Sequence, residues 1–204
     1  IFWTTFIADP RYYLSWLTKK FTSKGGKMLF KHVNHLKELA DYDIIVNCTG
    51  LNAKYLVDDW KMTPVRGQAI KVKAPWIKHF YYGDGAYIIP GRDYVTLGGV
   101  KEYGDWNTNL DQFDRKSIWQ RCIELVPSLK TAQIAFEWVG LRPQRQPVRV
   151  EKEIVKLDNH DKSRLKVVHN YGHGAHGISL SWGTALHATQ LVQEFLNENF
   201  ISKL

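Results

Sequence analysis

A glycine-rich segment near residue 175 is the part of the chain whose residue types and spacing point most directly to chemistry. Residues 172–177 read Gly-His-Gly-Ala-His-Gly and fit the pattern G-x-G-x-x-G. The sequence predicts a strand before them, over residues 165–171, and a long helix after them, over residues 178–195. Glycines let the backbone approach a ligand, and a helix N-terminus offers N–H groups and the positive end of its dipole. The segment is therefore predicted to hold an anionic or electron-accepting group.

Two other interpretations of this segment depend on the residues around it. A dinucleotide fingerprint needs a second strand with an acid about 20 residues further on, but the predicted helix takes up most of the remaining chain. The second interpretation is a strand–helix turn that binds no ligand. However, His173 and His176 among the glycines are unusual for a turn that serves packing alone. No cysteine or carboxylate lies near them in sequence, so no metal site is predicted. The segment suits the electron-accepting end of a flavin, whose negative charge a helix N-terminus would stabilise.

Composition and charge argue against several classes of function. The chain has 204 residues, of which 44% are hydrophobic and 24% are charged, as in an ordinary globular protein. The net charge of +8 comes from basic residues interleaved with acids, so no nucleic-acid partner is predicted. No apolar run approaches the roughly 18 residues that cross a bilayer, so no membrane partner is predicted. Cys48 and Cys122 are predicted to be buried, reduced thiols.

The two ends of the sequence carry separate signals. Ile1 opens the chain inside an apolar run, and no signal peptide is visible, which together predict a start partway through a domain. The last residues, Ser202-Lys203-Leu204, form the tripeptide that peroxisomal import receptors recognise at a C-terminus. We therefore expect a location in the peroxisomal matrix, with an import receptor as a partner.

The elements that must position the glycine segment are a mixture of helices and strands. Asp9-Pro10 predicts the start of a helix and Gly25-Gly26 its end. A second helix is predicted over residues 113–125. The predicted strands cover residues 28–33, 43–48, 68–72, 77–82, 87–89, 94–97, 133–139 and 148–156, with a hairpin turn at residues 90–93. Residues 43–48 suit a strand buried on both faces of a parallel sheet. The sequence thus predicts an α+β or α/β fold with a mostly antiparallel sheet, in which the first and last segments share one sheet.

Residues 168–185 resemble the signature of the D-amino-acid oxidase family. They begin Val-His-Asn-Tyr-Gly-His-Gly and continue through Gly177-Ile178-Ser179 and Trp182-Gly183-Thr184-Ala185. Several motifs in order are far more specific than any one of them, and the resemblance runs from about residue 4 to the end of the chain. Other segments that look like family motifs, in family order, are residues 46–50, 64–68, 74–76, 87–91, 95–99 and 140–143.

The resemblance implies the C-terminal part of a two-domain, FAD-linked oxidase. Residues 1–60 would belong to an FAD-binding domain, residues 61–150 to a substrate-binding domain, and residues 151–204 to a return into the FAD-binding domain. Family members oxidise a D-amino acid to an imino acid by hydride transfer to FAD, and O2 is reduced to hydrogen peroxide. The imino acid then hydrolyses to a 2-oxo acid and ammonia. The implied cofactor is FAD, and the implied partners are a D-amino acid and O2.

The resemblance also implies roles for individual residues. Arg142, in a predicted apolar turn, matches the family's carboxylate-binding arginine, whose planar guanidinium can grip a carboxylate through two parallel hydrogen bonds. Tyr87 matches the tyrosine whose hydroxyl meets that carboxylate, and the Ala175 carbonyl matches the group that receives the substrate amine. No general base is assigned, since hydride can leave directly if the amine arrives neutral. The implied flavin contacts are Val33, Thr49, Gly174, Ala175, His176, Gly177, Ile178 and Ser179.

The substrate class follows from finer features of the resemblance. Residues 64–68, 104–106, 139–143 and 177–179 look closer to D-aspartate oxidases than to oxidases of neutral D-amino acids. An acidic substrate needs a second cation, and Lys101 stands where D-aspartate oxidases tend to have an arginine. A lysine offers a point charge, whereas an arginine offers a planar pair of hydrogen-bond donors. The other interpretation of Lys101 is a solvated residue at the end of a strand. Oxidation of D-aspartate is expected, and oxidation of neutral D-amino acids is the alternative.

The strand, glycine turn and helix that hold the ADP part of FAD in this family have no counterpart in the sequence. Much of the energy of cofactor binding comes from those contacts. We therefore expect that these 204 residues alone would neither fold stably nor hold FAD, and that the activity belongs to an intact protein. A short, non-catalytic product is the remaining alternative.

Overall fold

The computed structural model describes residues 4–156 and 164–201, which form two compact units. Unit 1 comprises Ile1–Leu29 and Val65–Leu141, and unit 2 comprises Phe30–Pro64 and Arg142–Leu204. The chain therefore enters each unit twice. The division at residues 60 and 150 into FAD-binding and substrate-binding parts stays a prediction.

Helices and strands alternate irregularly along the chain. The helices are α1 Pro10–Ser23, α2 Ala53–Leu56, α3 Gln112–Leu125 and α4 Gly177–Ile201. Short 3-10 turns lie at Leu36–Leu39, Gly50–Asn52, Pro127–Thr131 and Gly174–His176. The strands are β1 Ile45–Asn47, β2 Thr63–Lys73, β3 Tyr81–Gly83, β4 Ala86–Ile89, β5 Val95–Gly98, β6 Glu102–Tyr103, β7 Gln133–Lys156 and β8 Arg164–His173.

Unit 1 is built on antiparallel strands. β2 pairs with β5 and with β6, β5 pairs with β4, and β4 pairs with β3. Alternate residues of β4 are buried, as expected for a strand with one face on a core, and β5 buries Val95, Leu97 and Gly98. The helix α3 covers that face. The core of the unit includes Ile70, Val72, Ile88, Leu97, Ile118, Cys122 and Leu129.

A buried arginine ties the loop before α3 to β2. Arg66 is 1% exposed, and its guanidinium donates to the carboxylates of Asp114, at 2.6 Å, and Glu102. It also donates to the backbone carbonyls of Asn107 and Asn109, at 2.9 Å each. Because a buried charge is tolerated only when it is paired and hydrogen-bonded, Arg66 fixes this loop in one conformation.

Unit 2 has β8 at its centre. β1 lies parallel to β8, with Asn47 opposite His169, and the second part of β7 lies antiparallel to β8. The pairing of β7 with β8 is irregular between Gln144 and Arg149, where β7 carries extra residues. The helix α4 packs on one face of β8 through a cluster formed by Val168, Ala188 and Phe195.

Several predicted elements are confirmed. The helix α1 begins at Asp9-Pro10, since the Asp9 carboxylate accepts a hydrogen bond from the backbone N–H of Arg11 at 3.1 Å. Residues 90–93 join the antiparallel strands β4 and β5. The parallel pairing of β1 with β8 confirms that an early and a late segment share one sheet.

Residues 28–33 and residues 77–80 do not form the predicted strands. Residues 28–30 are exposed apolar residues, and they pair with no strand in the part of the chain that the structure describes. An apolar run becomes a strand only where a neighbour offers backbone partners and a surface to pack on. The predicted strand 77–82 is reduced to β3, which begins at Tyr81.

Three burial or turn predictions are also wrong. Val46 is 47% exposed, so β1 buries one face rather than two. Cys48 is exposed, whereas Cys122 is buried as predicted. Residues 140–143 continue β7 instead of forming a turn. Gly140 suits a strand here because a Cβ atom on it would lie 2.5 Å from the Trp138 ring.

Candidate functional site

The glycine segment forms the junction between β8 and α4. β8 ends at His173, the 3-10 turn Gly174–His176 follows, and α4 begins at Gly177. This arrangement confirms the predicted strand, turn and helix.

Two glycines of the junction are required by their backbone conformation. Gly172 and Gly174 have φ values of +94° and +56°, which favour glycine. A Cβ atom on Gly172 would lie 2.6 Å from the Cβ of Arg145, and one on Gly174 would overlap the Gln144 side-chain oxygen. The segment of β7 around Arg145 therefore packs closely against Gly172, and the Gln144 side chain occupies the space beside Gly174.

The start of α4 is open to a ligand. Ala175, His176, Ile178 and Ser179 are exposed, and no side chain caps the 3-10 turn that leads into the helix. The first turn of any helix has backbone N–H groups without intrahelical partners, and its dipole favours negative charge there. An acceptor group with developing negative charge would be stabilised at this position.

Two buried polar atoms beside the junction lack partners. His173 Nε2 and Asn170 Oδ1 have no hydrogen-bond partner among the described residues. Burial lowers the pKa of His173, so its imidazole is neutral near pH 7. Buried polar atoms are nearly always paired in native proteins. These two atoms, together with the glycines, fit a polar ligand such as a flavin ring at the start of α4.

Thr49 lies at the same edge of unit 2 as the glycine junction. It follows β1, and parallel strands such as β1 and β8 have their carboxyl ends at one edge. Asn47 Oδ1 accepts hydrogen bonds from the Thr49 backbone N–H at 3.1 Å and from its hydroxyl at 2.8 Å. Val33, half-buried in the same unit, lies in the irregular segment before the 3-10 turn Leu36–Leu39. Flavin contacts of Val33 and Thr49 stay predictions.

The predicted substrate-binding residues are divided between the units. Arg142 and Ala175 belong to unit 2, where Arg142 is half-buried on β7, whereas Tyr87 and Lys101 belong to unit 1. Tyr87 is half-buried on β4 and lies opposite Gly98. Lys101 is exposed between β5 and β6. The roles of these four residues stay predictions.

The Tyr87 ring rests on the backbone of β5. A Cβ atom on Gly98 or on Gly99 would overlap this ring. The double glycine therefore makes room for the aromatic side chain and fixes its direction. This contact lies within unit 1, and it explains why two glycines occupy positions 98 and 99.

A polar chain on β8 was not found from the sequence. His169 is fully buried, with Nε2 3.0 Å from Glu153 Oε2 and Nδ1 3.3 Å from Asn47 Nδ2. Burial and the nearby Arg149 lower the pKa of His169, so it is neutral near pH 7. With the bonds from Asn47 to Thr49, these residues form a continuous chain to the edge of the sheet.

A second buried group lies beside this chain. Tyr171 donates its hydroxyl to Asp59 at 2.8 Å, and Arg145 Nε donates to the same carboxylate at 2.6 Å. Arg149 Nη1 bonds the Tyr171 hydroxyl at 2.8 Å and its Nη2 bonds Glu153 at 2.7 Å. Burial raises the pKa of Tyr171 to about 12. The alternation of His169 and Tyr171 on β8 was the only signal in the sequence, since their partners lie far away along the chain.

The described ranges contain neither a metal-binding cluster nor a membrane-spanning helix. No group of three or more His, Cys, Asp or Glu side chains is arranged to bind a metal ion there. No helix among the described residues is long and apolar enough to cross a membrane.

The chain has relatives in a known class of protein. The model of the family described as FAD dependent oxidoreductase matches residues 1–191, so the chain belongs to that family. It is 46% identical to D-aspartate oxidase of Homo sapiens over 94% of this chain and 56% of the relative. It is 39% identical to D-aspartate oxidase 1 of Caenorhabditis elegans over 98% of this chain and 60% of the relative. The chain thus spans a little over half the length of these relatives.

Solved structures agree on the fold. Glycine oxidase from Bacillus cereus matches with a TM-score of 0.61 and 23% identity, over 74% of this chain and 42% of that one. L-proline dehydrogenase from P. horikoshii matches with a TM-score of 0.68 and 16% identity, over 92% of this chain and 56% of that one. At these identities the similarity shows the fold alone.

Proposed function

We propose that this chain is part of an FAD-dependent oxidase that acts on an acidic D-amino acid, with D-aspartate as the first candidate. The observation that carries the proposal is the junction of β8 and α4, with its exposed N-terminus, in a chain of this family. Relatives named D-aspartate oxidase in Homo sapiens and Caenorhabditis elegans support the substrate class.

Unit 2 would hold the flavin. The backbone at Gly174–His176 and the start of α4 would face the flavin ring, and Thr49 and Val33 would contact the cofactor further out. Bound FAD would accept two electrons as hydride and pass them to O2, giving hydrogen peroxide. The positive end of α4 would favour the negative charge that the ring gains on reduction.

Each proposed substrate contact has a physical reason. The Arg142 guanidinium would bind the α-carboxylate through two parallel hydrogen bonds, which fixes the substrate's orientation. The Tyr87 hydroxyl would donate to the same carboxylate, and the Ala175 carbonyl would accept from the amine. Lys101 would attract the side-chain carboxylate of an acidic substrate as a point charge. A substrate that arrives with a neutral amine needs no general base, and the imino acid hydrolyses to a 2-oxo acid and ammonia.

Oxidation of neutral D-amino acids is the second candidate. The chain is 37% identical to a protein named D-amino acid oxidase from Dugesia ryukyuensis, over 95% of this chain and 59% of the relative. The lysine at position 101 also gives weaker selection for a second carboxylate than an arginine would.

The experiment is to express the protein from its complete gene, record the flavin absorption of the purified product, and measure peroxide with D-aspartate, D-glutamate and D-alanine. We expect bound flavin and the highest kcat/KM for D-aspartate. A preference for D-alanine would favour the second candidate, and the absence of bound flavin would reject both. The 204-residue chain, expressed by itself in parallel, is expected to hold no flavin and to form no peroxide.

We further propose a peroxisomal location, with an import receptor as a partner. The signal, Ser202-Lys203-Leu204, lies outside the described residues. A fluorescent fusion that leaves this C-terminus free should be imported into peroxisomes, and the same fusion without the three residues should not.

A further inference from the structure

We infer that the chain Glu153–His169–Asn47 positions Thr49 and thereby makes the hold of unit 2 on the flavin depend on the protonation state of His169. The inference rests on the proposed function, since it takes the flavin as the ligand. It assigns positioning roles to Glu153, His169 and Asn47, none of which we place in contact with the cofactor.

The orientation of the Asn47 amide fixes the direction of the whole chain. Its Oδ1 accepts from the Thr49 backbone N–H and hydroxyl, so its Nδ2 must face His169. An amide nitrogen can only donate, and therefore Nδ1 of His169, 3.3 Å away, must be the acceptor. The imidazole proton then sits on Nε2 and is donated to Glu153 at 3.0 Å.

Protonation of His169 at Nδ1 would break this order. Two donors would then face each other across 3.3 Å, and the Asn47 amide would have to rotate. Rotation would remove the acceptor that holds both polar groups of Thr49. Asn47 is 2% exposed and His169 is fully buried, so water cannot replace the lost bonds without opening the strands.

The groups around His169 determine whether its imidazole is neutral or protonated. On β7, the positive charge of Arg149 lowers the pKa of His169, whereas the negative charge of Glu151 raises it. The Glu153 carboxylate accepts the hydrogen bond from His169 Nε2. The Tyr171 ring on β8 lies edge-on to the imidazole, with centroids 5.8 Å apart. Burial and Arg149 lower the pKa of His169 below that of a free histidine. The chain is therefore intact at neutral pH and opens on acidification.

The test is the pH dependence of FAD binding by the protein expressed from its complete gene. Free and bound flavin are separated by ultrafiltration between about pH 7.5 and about pH 5, on both sides of the ordinary histidine pKa. We expect the Kd of FAD to rise about tenfold on acidification, the effect of losing roughly one buried hydrogen bond. His169→Gln, which cannot titrate at this position, should give a Kd that rises much less on acidification, with His173 left to titrate. The exposed His187→Gln on α4 is the matched control and should behave like the unaltered protein.

Two further measurements separate positioning from general stability. In Asn47→Asp the carboxylate still accepts from Thr49 but also accepts from a protonated His169, so acid release of FAD should be suppressed. Nitrogen NMR of His169 should show the Nε2–H tautomer at neutral pH, whether or not FAD is bound. An Nδ1–H tautomer would overturn the inference even if the glutamine variant fails to fold.

The outcomes also distinguish this inference from the proposed function. If the unaltered protein binds FAD with one Kd across the whole pH range, the inference is wrong and the proposed function stands. If it binds no FAD at any pH, the proposed function is wrong and the inference falls with it. A Kd that rises equally in the unaltered protein and in His169→Gln assigns the effect to another group and overturns the inference.

Discussion

Arg142 gives a sharp prediction at the scale of single residues. Arg142→Lys keeps the charge but loses the planar fork, and Arg142→Ala loses both. We expect KM for D-aspartate to rise about tenfold in the lysine variant and about a hundredfold in the alanine variant, as charge-assisted hydrogen bonds contribute roughly 1.5–3 kcal/mol. Steady-state kinetics measure this, and the exposed Arg164→Lys on β8 serves as the control. Normal kinetics in Arg142→Ala would show that another group binds the carboxylate.

Lys101 tests the choice between acidic and neutral substrates. Its exposed ammonium would attract the second carboxylate of D-aspartate but has nothing to offer the methyl group of D-alanine. Lys101→Ala should lower the ratio of kcat/KM for D-aspartate to that for D-alanine about fivefold, and Lys101→Arg should preserve or raise it. Lys116→Ala, an exposed lysine on α3, is the matched control. If Lys101→Ala leaves the ratio of the two kcat/KM values unchanged, Lys101 does not bind the substrate and is a solvated residue at the end of a strand.

At the scale of elements, the junction of β8 and α4 depends on Gly174. Its φ of +56° strains any residue with a Cβ atom, and the side-chain amide of Gln144 would have to move, so Gly174→Ala should shift the turn and the start of α4. A Cβ in this conformation costs roughly 1–2 kcal/mol, and we expect FAD to bind at least tenfold more weakly, as measured by flavin titration. The control is Gly183→Ala inside α4, where nothing lies within 4 Å of the added carbon and helix propensity should rise. Equal FAD affinity in the two variants would contradict the role of the turn.

The irregular part of β7 is held by the carboxylate of Asp59. Although burial raises the pKa of Asp59, hydrogen bonds from Tyr171 and Arg145 lower it overall, so the group is charged and paired. Asp59→Asn leaves the half-buried charge of Arg145 without its partner and should lower the free energy of unfolding by roughly 3 kcal/mol. Urea unfolding measures the loss. Asp58→Asn, next to it and exposed, should change stability little because asparagine tolerates its positive φ.

The elements also show what the sequence could and could not reveal. The strand, turn and helix around residues 172–177 were predictable because glycine spacing and hydrophobic periodicity are local signals. Residues 28–33 looked like a strand by the same rules, but no described strand pairs with them. The partners of His169 and Tyr171 were out of reach, since Asn47 and Asp59 lie 122 and 112 residues away along the chain. Such contacts depend on how β1, β7 and β8 come together.

At the scale of the whole molecule, the buried histidines make stability depend on pH. The pKa values of His169 and His173 are lowered in the folded chain, so the unfolded chain binds more protons between those values and the ordinary histidine pKa of about 6.5. The contribution of these two histidines to the free energy of unfolding should therefore be constant above about pH 6.5 and should fall as the pH drops below it, by at most about 1.4 kcal/mol per pH unit for each histidine. Urea unfolding at several pH values measures the slope.

The contribution of His169 to that slope can be isolated. In His169→Gln the lowered pKa of His173 remains but that of His169 is gone, so the slope just below pH 6.5 should shrink while the stability above pH 6.5 changes separately through packing. His187→Gln on the exposed face of α4 should leave the slope as it is. If His169→Gln and the unaltered protein lose stability in parallel on acidification, the pKa of His169 is the same in the folded and the unfolded chain. In that case protonation of His169 costs the folded chain nothing extra, so it does not break the bond from Asn47 or release Thr49.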